Sequence, residues 1–403
     1  MTMRDRHKMT SPAKEVDQTM TEPLFDNLEI RQFRAFDYIK IDQLGHINLF
    51  LGKNNVGKST LLEALWLYAK LGSPDVIRAI LDGRDEPGEV RHGNTTEPTV
   101  WSLFYGHPLL ERISSSIQIG RIGAPDSALT LSITWLRKTS EMDASGGLSD
   151  GSGYGGDLQP GQEYVEVESP GAADGDGSIP ALVVKYGPMR RLLRLDDVYD
   201  DLCRRWNLQT RSNRELATPC ILIGPGGLED TGLQSLWEKV VLTDSKTDVI
   251  EAMRIIAPET EDFALLHQQT RASSIRLRVK GQDGPVPIKT MGDGMNRLFG
   301  LGMALACAKN GILLVDEIEN GIHWSVLPEV WKFIVKVANR LNVQVFATTH
   351  SNDCLKAFHS GTKGDKSVDG VAVRIERKNG EFSAEIFDES RLAVIVKEAI
   401  EIR

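Results

Sequence analysis

Little in this chain points to a membrane, a disulfide framework or a long coiled coil. The longest apolar run, Leu298 to Ala308, is too short to cross a bilayer and is interrupted by Gly300 and Gly302. Met1 to Glu22 is polar and charged and lacks the apolar core of a secretory signal. The only cysteines are Cys203, Cys220, Cys307 and Cys354, and none has the spacing of a metal knuckle. They read as buried thiols of a reducing compartment, which makes the cytoplasm the expected location and a membrane partner unexpected. A positive charge excess is also missing, since the net charge is −9 and the pI about 5.5. The molecule as a whole is therefore no electrostatic glove for nucleic acid, although local basic patches remain open. No internal repeat or sustained heptad is present. What is left is an ordinary globular composition of 41% hydrophobic and 26% charged residues over 403 positions. That length holds two or three average domains, or one core with a large insertion.

The chain is organised around Gly52-Lys53-Asn54-Asn55-Val56-Gly57-Lys58-Ser59-Thr60, which fits the phosphate-binding pattern G-x-x-x-x-G-K-[ST]. Glycines at these places let the backbone curl until its N–H groups face a triphosphate. Lys58 supplies a point charge for the β and γ oxygens, and Ser59 offers a hydroxyl to Mg²⁺. The context is right, because His46 to Leu51 reads as a buried strand and Ser59 to Lys70 as a helix burying Leu61, Leu62, Leu65 and Leu67.

Elsewhere the chain alternates between ordered and loop-like segments. Residues 1–23 read as a disordered arm. Strands are expected at Leu28 to Phe33, Tyr38 to Ile41, Ser116 to Ile119, Leu129 to Trp135 and Ala181 to Tyr186. The Gly-, Asp- and Ser-rich stretch 143–179 reads as a flexible loop. Met189 to Leu216 reads as helix, with Arg190, Arg191, Arg194, Arg204, Arg205, Arg211 and Arg214 interleaved with acids, either a solvated face or a partner- or DNA-binding surface. Cys220 to Ile223 is a short strand that ends in a tight Gly-Pro-Gly-Gly turn. Ser274 to Lys280 is a strand with Arg276, Arg278 and Lys280 on one side.

The last hundred residues carry the remaining chemistry. Ile312-Leu313-Leu314-Val315-Asp316-Glu317 is an apolar strand running into two acids, the Walker B pattern. Asp316 would hold Mg²⁺ through water, and Glu317 would polarise the attacking water. A second apolar strand ends in Thr348-Thr349-His350, placing a histidine at a carboxyl sheet edge where ligands bind, a candidate γ-phosphate sensor. Upstream, Gly292, Asp293, Gly294 and Arg297 open a helix rich in small residues, and Glu319-Asn320-Gly321-Ile322-His323 forms a turn after the Walker B strand.

This order of motifs resembles an ABC-type ATPase of the SMC and RecF branch. The strand Leu28-Glu29-Ile30-Arg31-Gln32-Phe33-Arg34-Ala35-Phe36 looks like that branch's first strand, and the stand-alone OLD (overcoming lysogenization defect) ATPases of antiphage defence are similar. The resemblance covers Leu24 to Leu67 and Lys289 to Phe358. It implies an α/β P-loop NTPase head, residues 24–71 and 289–403, with an inserted lobe over 72–288. It also implies a homodimer or higher oligomer that sandwiches ATP and Mg²⁺ between copies. Lys58, Ser59, Asp316, Glu317 and His350 would serve one nucleotide in cis. Gly292, Asp293, Gly294, Arg297, Asn320 and His323 would reach it from the other copy. Gly292 stands where such signatures carry serine, which implies slow hydrolysis with Arg297 or backbone N–H groups substituting. Gln118 is the candidate for the family's Mg²⁺-sensing glutamine. The residues after His350 read as two strands and a helix, too few for the TOPRIM nuclease of OLD proteins, so an effector is expected on a separate partner.

Three functions remain in view: an ATP-hydrolysing dimerisation switch controlling an effector, a DNA-repair or chromosome-maintenance ATPase on duplex DNA, and a nucleotide-binding scaffold with little turnover.

Overall fold

The computed structural model describes residues 23–84, 89–91, 95–97, 100–108, 113–138, 164–167, 178–195, 217–228, 236–268, 271–363 and 369–398. The expected arm at 1–23 therefore lies outside it apart from Pro23, as does most of the expected loop at 143–179.

In chain order the first strands are β1 (Leu28–Phe33), β2 (Phe36–Ile41) and β3 (Ile47–Leu51), followed by helices α1 (Lys58–Ala69) and α2 (Pro74–Asp82). Two short strands, β4 (Glu89–Arg91) and β5 (Thr95–Glu97), pair only with each other. Then come β6 (Ile117–Gly120), β7 (Leu129–Lys138), β8 (Tyr164–Val167), β9 (Ile179–Tyr186), β10 (Met189–Arg194) and β11 (Cys220–Ile223). Helix α3 (Lys246–Arg254) precedes β12 (Thr260–Gln268), β13 (Arg271–Val279) and β14 (Val286–Pro287). The C-terminal part holds α4 (Asp293–Cys307), β15 (Ile312–Val315), α5 (Leu327–Leu341), β16 (Gln344–Thr349), α6 (Asn352–Thr362), β17 (Gly370–Lys378), β18 (Glu381–Phe387) and α7 (Glu389–Lys397).

The site is carried by a six-stranded sheet of order β11-β15-β16-β3-β17-β18, parallel except for the edge strand β18. Its inner strands are apolar runs because both faces are covered: every residue of β3, β15 and β16 is buried. On one face Phe50, Leu314 and Phe346 share a core with Leu61, Leu62 and Leu65 of α1. On the other, Leu49, Leu313 and Val345 pack under α4, α5 and α6. Antiparallel β1 and β2 lie across α1, in one sheet with β6, β7, β9 and β10.

That sheet crosses the boundary expected at residue 72. Ile30 of β1 stands opposite Ile119 of β6, and Leu129, Leu131, Leu182 and Val184 join the core around α1. β11, also within 72–288, adds the outer parallel strand to the central sheet. The 72–288 insertion thus shares its sheets with the flanking segments, and its later part forms a satellite core, with Val249, Met253, Phe263 and Leu277 packed on Met295, Phe299 and Met303 of α4. A second difference concerns Met189 to Arg194, read as helix and found as strand. Its residues favour helix locally, but pairing Arg191 with Val184 and Leu193 with Leu182 buries Leu193 and overrides that preference. The rest of the expected helix, 196–216, lies outside the described residues.

Candidate functional site

The P-loop joins the carboxyl end of β3 to α1. Gly57 caps α1 with φ 90°, and a Cβ there would come within 2.6 Å of the Phe36 ring, so the turn and its closeness to β2 both require glycine. Lys53, Asn54 and Asn55 are exposed, Val56 and Ser59 half-buried, and Lys58 and Thr60 buried. The Lys58 ammonium donates to the carbonyls of Gly52 at 2.7 Å and Lys53 at 2.9 Å, folding back over its own loop. Burial lowers its pKa, opposed by the charges of Asp316, Glu317 and Glu319. Thr60 accepts a long bond of 3.4 Å from Arg84.

Two neighbouring strand ends, β15 and β16, supply the acids and the histidine. The Thr348 hydroxyl donates to Asp316 Oδ1 at 2.5 Å and accepts from the Glu317 N–H at 2.8 Å, tying the strands at the edge where the P-loop lies. Glu317 has φ 46°, a left-handed conformation that costs a non-glycine residue roughly 1–3 kcal/mol. Its carboxylate accepts from the Asn320 amide at 2.6 Å, and its other oxygen lies 3.9 Å from His350 Nδ1. His350 is 45% exposed and stands 3.4 Å from Glu319.

The structure redistributes the residues assigned to the second copy. Gly292, Asp293 and His323 are exposed at one surface. Gly294 sits close against the Gly321 carbonyl, so the signature helix and the Glu319 to His323 turn form one surface. Arg297 and Asn320 point inward instead. Arg297 is 5% exposed and donates to the carbonyls of Gly224 at 2.6 Å, Asp316 at 2.7 Å and Glu317 at 2.9 Å of its own chain. Its guanidinium is thereby spent on the Walker B strand end and is not free to replace the missing signature serine. At Gly292 φ is 90°, so a serine could occupy the position only with backbone strain. Beside this surface a cleft of about 540 Å³ is lined by Gly226, Gly227, Lys289, Asn296, Phe299 and Asn320 among others.

Other expectations fare unevenly. Gln118 is exposed on the face of β6 opposite Ile117 and Ile119, hence turned away from α1, and bonds weakly to Ser116 at 3.5 Å. The structure does not bring it to the P-loop. The basic stripe is neutralised in part, with Arg278 paired to Glu261 at 3.2 Å, and Arg190 is paired with Glu166. Arg204, Arg205, Arg211 and Arg214 lie outside the described residues, as does Cys203. Cys220, Cys307 and Cys354 are free thiols. Sequence reasoning missed Glu319 and Thr348 as site residues. Their only signal was proximity in sequence to Glu317 and His350.

The donors fit a nucleotide triphosphate with Mg²⁺. A hydroxyl and a carboxylate, Ser59 and Asp316, are the hard oxygen ligands that ion takes. Lys58 holds its charge on the loop that would receive the phosphates.

Comparison with known proteins agrees with the geometry. Residues 25–78 match a family described as "AAA ATPase domain", and residues 174–354 one described as "AAA domain, putative AbiEii toxin, Type IV TA system". Two segments of the chain thus match AAA ATPase domains. The ATPase is 22% identical to an ATP/GTP phosphatase of Helicobacter pylori over 367 residues, covering 83% of this chain and 87% of that protein. It is 31% identical over 93 residues to an uncharacterised protein of Methanocaldococcus jannaschii, 23% of this chain and 78% of that one, and belongs to the same family. Among solved structures, an SMC head domain from Thermotoga maritima aligns with TM-score 0.39 and 11% identity, covering 90% of this chain and 98% of that one. An SMC head bound to the C-terminal domain of ScpA from Pyrococcus furiosus aligns with TM-score 0.43 and 10% identity over 93% and 99% of the two chains. No helix among the described residues is long and apolar enough to cross a membrane.

Proposed function

We propose that this ATPase is a nucleotide-driven switch: ATP joins two copies, hydrolysis releases them, and a separate effector protein responds to the joined state. The observation that supports it is the position of Glu317. Its carboxylate is oriented by Asn320 while Thr348 and Arg297 fix its backbone from either side. Such a group is built to accept the proton of a water attacking the γ-phosphorus. As the new phosphorus–oxygen bond forms, the bond to the β–γ bridging oxygen breaks, leaving ADP and inorganic phosphate. Ser59 and Asp316 would hold Mg²⁺, which supplies charge neutralisation between the β and γ oxygens. Lys58 exchanges its loop carbonyls for phosphate oxygens, and His350 faces the γ end. Gly292, Asp293, Gly294 and His323, on one surface, are the residues that would meet the other copy's nucleotide, while Arg297 and Asn320 act on Glu317 of their own chain.

The setting we favour is antiviral defence, through the resemblance to OLD-like ATPases, in the cytoplasm. The acidic net charge and the pairing of Arg278 and Arg190 with glutamates leave duplex DNA as the weaker reading. Comparing steady-state ATP turnover of the wild type and Glu317→Gln tests the catalytic claim. A large loss in the variant supports it, and equal near-zero rates would favour a binding scaffold.

A further inference from the structure

Glu319 was expected only as part of a surface turn, yet it is 11% exposed and lies under His350. One of its oxygens, Oε1, does two things. It accepts the backbone N–H of His350 at 3.1 Å and stands 3.4 Å from Nδ1 of the same residue. The competing carboxylate, Glu317, is 3.9 Å from that nitrogen, beyond hydrogen-bonding range, with its other oxygen held by Asn320. The remaining oxygen of Glu319, Oε2, is buried with no hydrogen-bond partner among the described residues. An unsatisfied buried carboxylate oxygen destabilises a fold, so packing does not explain the residue. Lys58 and Arg297 both feel its charge, which places it between the P-loop and the Walker B strand end.

We propose that Glu319 is a positioning residue for His350. Its carboxylate, which accepts the backbone N–H and faces ring Nδ1 at 3.4 Å, favours a proton on Nδ1 and fixes the ring's rotation, so that Nε2 turns its lone pair to a water at the γ end. Without this carboxylate an exposed imidazole turns freely and exchanges tautomers, and the fraction of time Nε2 faces the γ end falls. Glu317 and Glu319 then divide the labour: the first acts on water, the second aims the histidine. The inference rests on the ATPase reading of this site but is testable apart from it.

Two measurements on the full chain decide it. The first is turnover. Glu319→Ala should lower kcat about tenfold to a hundredfold, the usual effect of losing a group that orients a functional histidine, while KM for ATP stays nearly unchanged. Glu319→Gln, whose amide oxygen can still accept the backbone N–H and face Nδ1, should recover most of the rate. The double variant Glu319→Ala with His350→Ala should be no slower than His350→Ala alone. Additive losses, or an Ala variant as fast as wild type, would overturn the proposal. The second is the ¹⁵N spectrum of the histidine ring in the nucleotide-free protein, assigned by its loss in His350→Ala. Wild type and Glu319→Gln should show protonation at Nδ1, and Glu319→Ala a shift toward Nε2–H. An unchanged spectrum in Glu319→Ala overturns the positioning role even if the wild type hydrolyses no ATP, whereas the expected shift with no turnover in any variant refutes only the ATPase reading.

Discussion

Arg297 Nη2 lies 2.9 Å from the carbonyl oxygen of Glu317, and Glu317 is one of the few non-glycine residues here with positive φ. The arginine pulls on the carbonyl side of the strained residue while Thr348 holds its N–H side. An arginine near the start of α4 thus reaches through the head to shape Glu317, the proposed general base, in the same chain.

Replacing Arg297 with lysine keeps the charge but loses the fork that reaches three carbonyls. We expect kcat to fall at least about tenfold, equivalent to roughly 1.4 kcal/mol, with ATP affinity within about twofold. Turnover and equilibrium nucleotide binding check this together. A variant that loses affinity and keeps kcat would show that Arg297 acts on the nucleotide instead.

Thr348→Val removes a hydroxyl with little change of shape. It strands Asp316 Oδ1 and the Glu317 N–H, at a cost of about 1–3 kcal/mol for an unsatisfied buried group. A lower Tm and a higher Mg²⁺ concentration for half-maximal turnover are the expected readouts. Valine at wild-type Tm and Mg²⁺ dependence would contradict the role.

Lys58 gives a pH signature. Burial lowers its folded pKa below its unfolded value, so the folded state pays for the charge at neutral pH. As pH rises through the folded pKa toward the ordinary lysine value, the unfolded chain binds more protons than the folded one and this penalty is relieved. The Tm of wild type should therefore gain on that of Lys58→Met between neutral pH and about pH 10, in protein without nucleotide, within the range below the unfolded lysine pKa. A constant Tm difference would mean that the ammonium is not desolvated. At neutral pH the same variant should fail to bind ATP in equilibrium dialysis.

Gly57→Ala should disturb the loop twice over, through its positive φ and through the Phe36 ring against which a Cβ would collide. We expect nucleotide binding to be lost and stability to fall by roughly 1–3 kcal/mol, measured by denaturant titration. Wild-type affinity in this variant would contradict the described loop geometry.

The sequence makes the parallel head legible where contiguous residues carry the message. The P-loop is eight neighbouring positions, Ile312 to Glu317 is one apolar run into two acids, and the strands end at Leu51, Ile223 and Val315 as the sequence has them. What escapes are relations set by sheet order. That β15 lies next to β16 decides that Thr348 touches Asp316, and nothing in either segment alone announces it. Arg297 looks like a surface arginine at a helix start, yet the Gly224 turn at the end of β11 folds over it and turns it inward. Met189 to Arg194 has helix-forming side chains and becomes strand because β9 stands beside it. The satellite core around Phe263 and Phe299 likewise joins segments whose local patterns do not mention one another.

The central claim is that ATP joins two copies and hydrolysis parts them. Light scattering coupled to size exclusion of Glu317→Gln with ATP and Mg²⁺ tests it most directly. The account predicts a doubling of mass, or a larger multiple, relative to the nucleotide-free protein, and no such gain for Glu317→Gln combined with Lys58→Ala. An unchanged mass for Glu317→Gln at saturating ATP would contradict it.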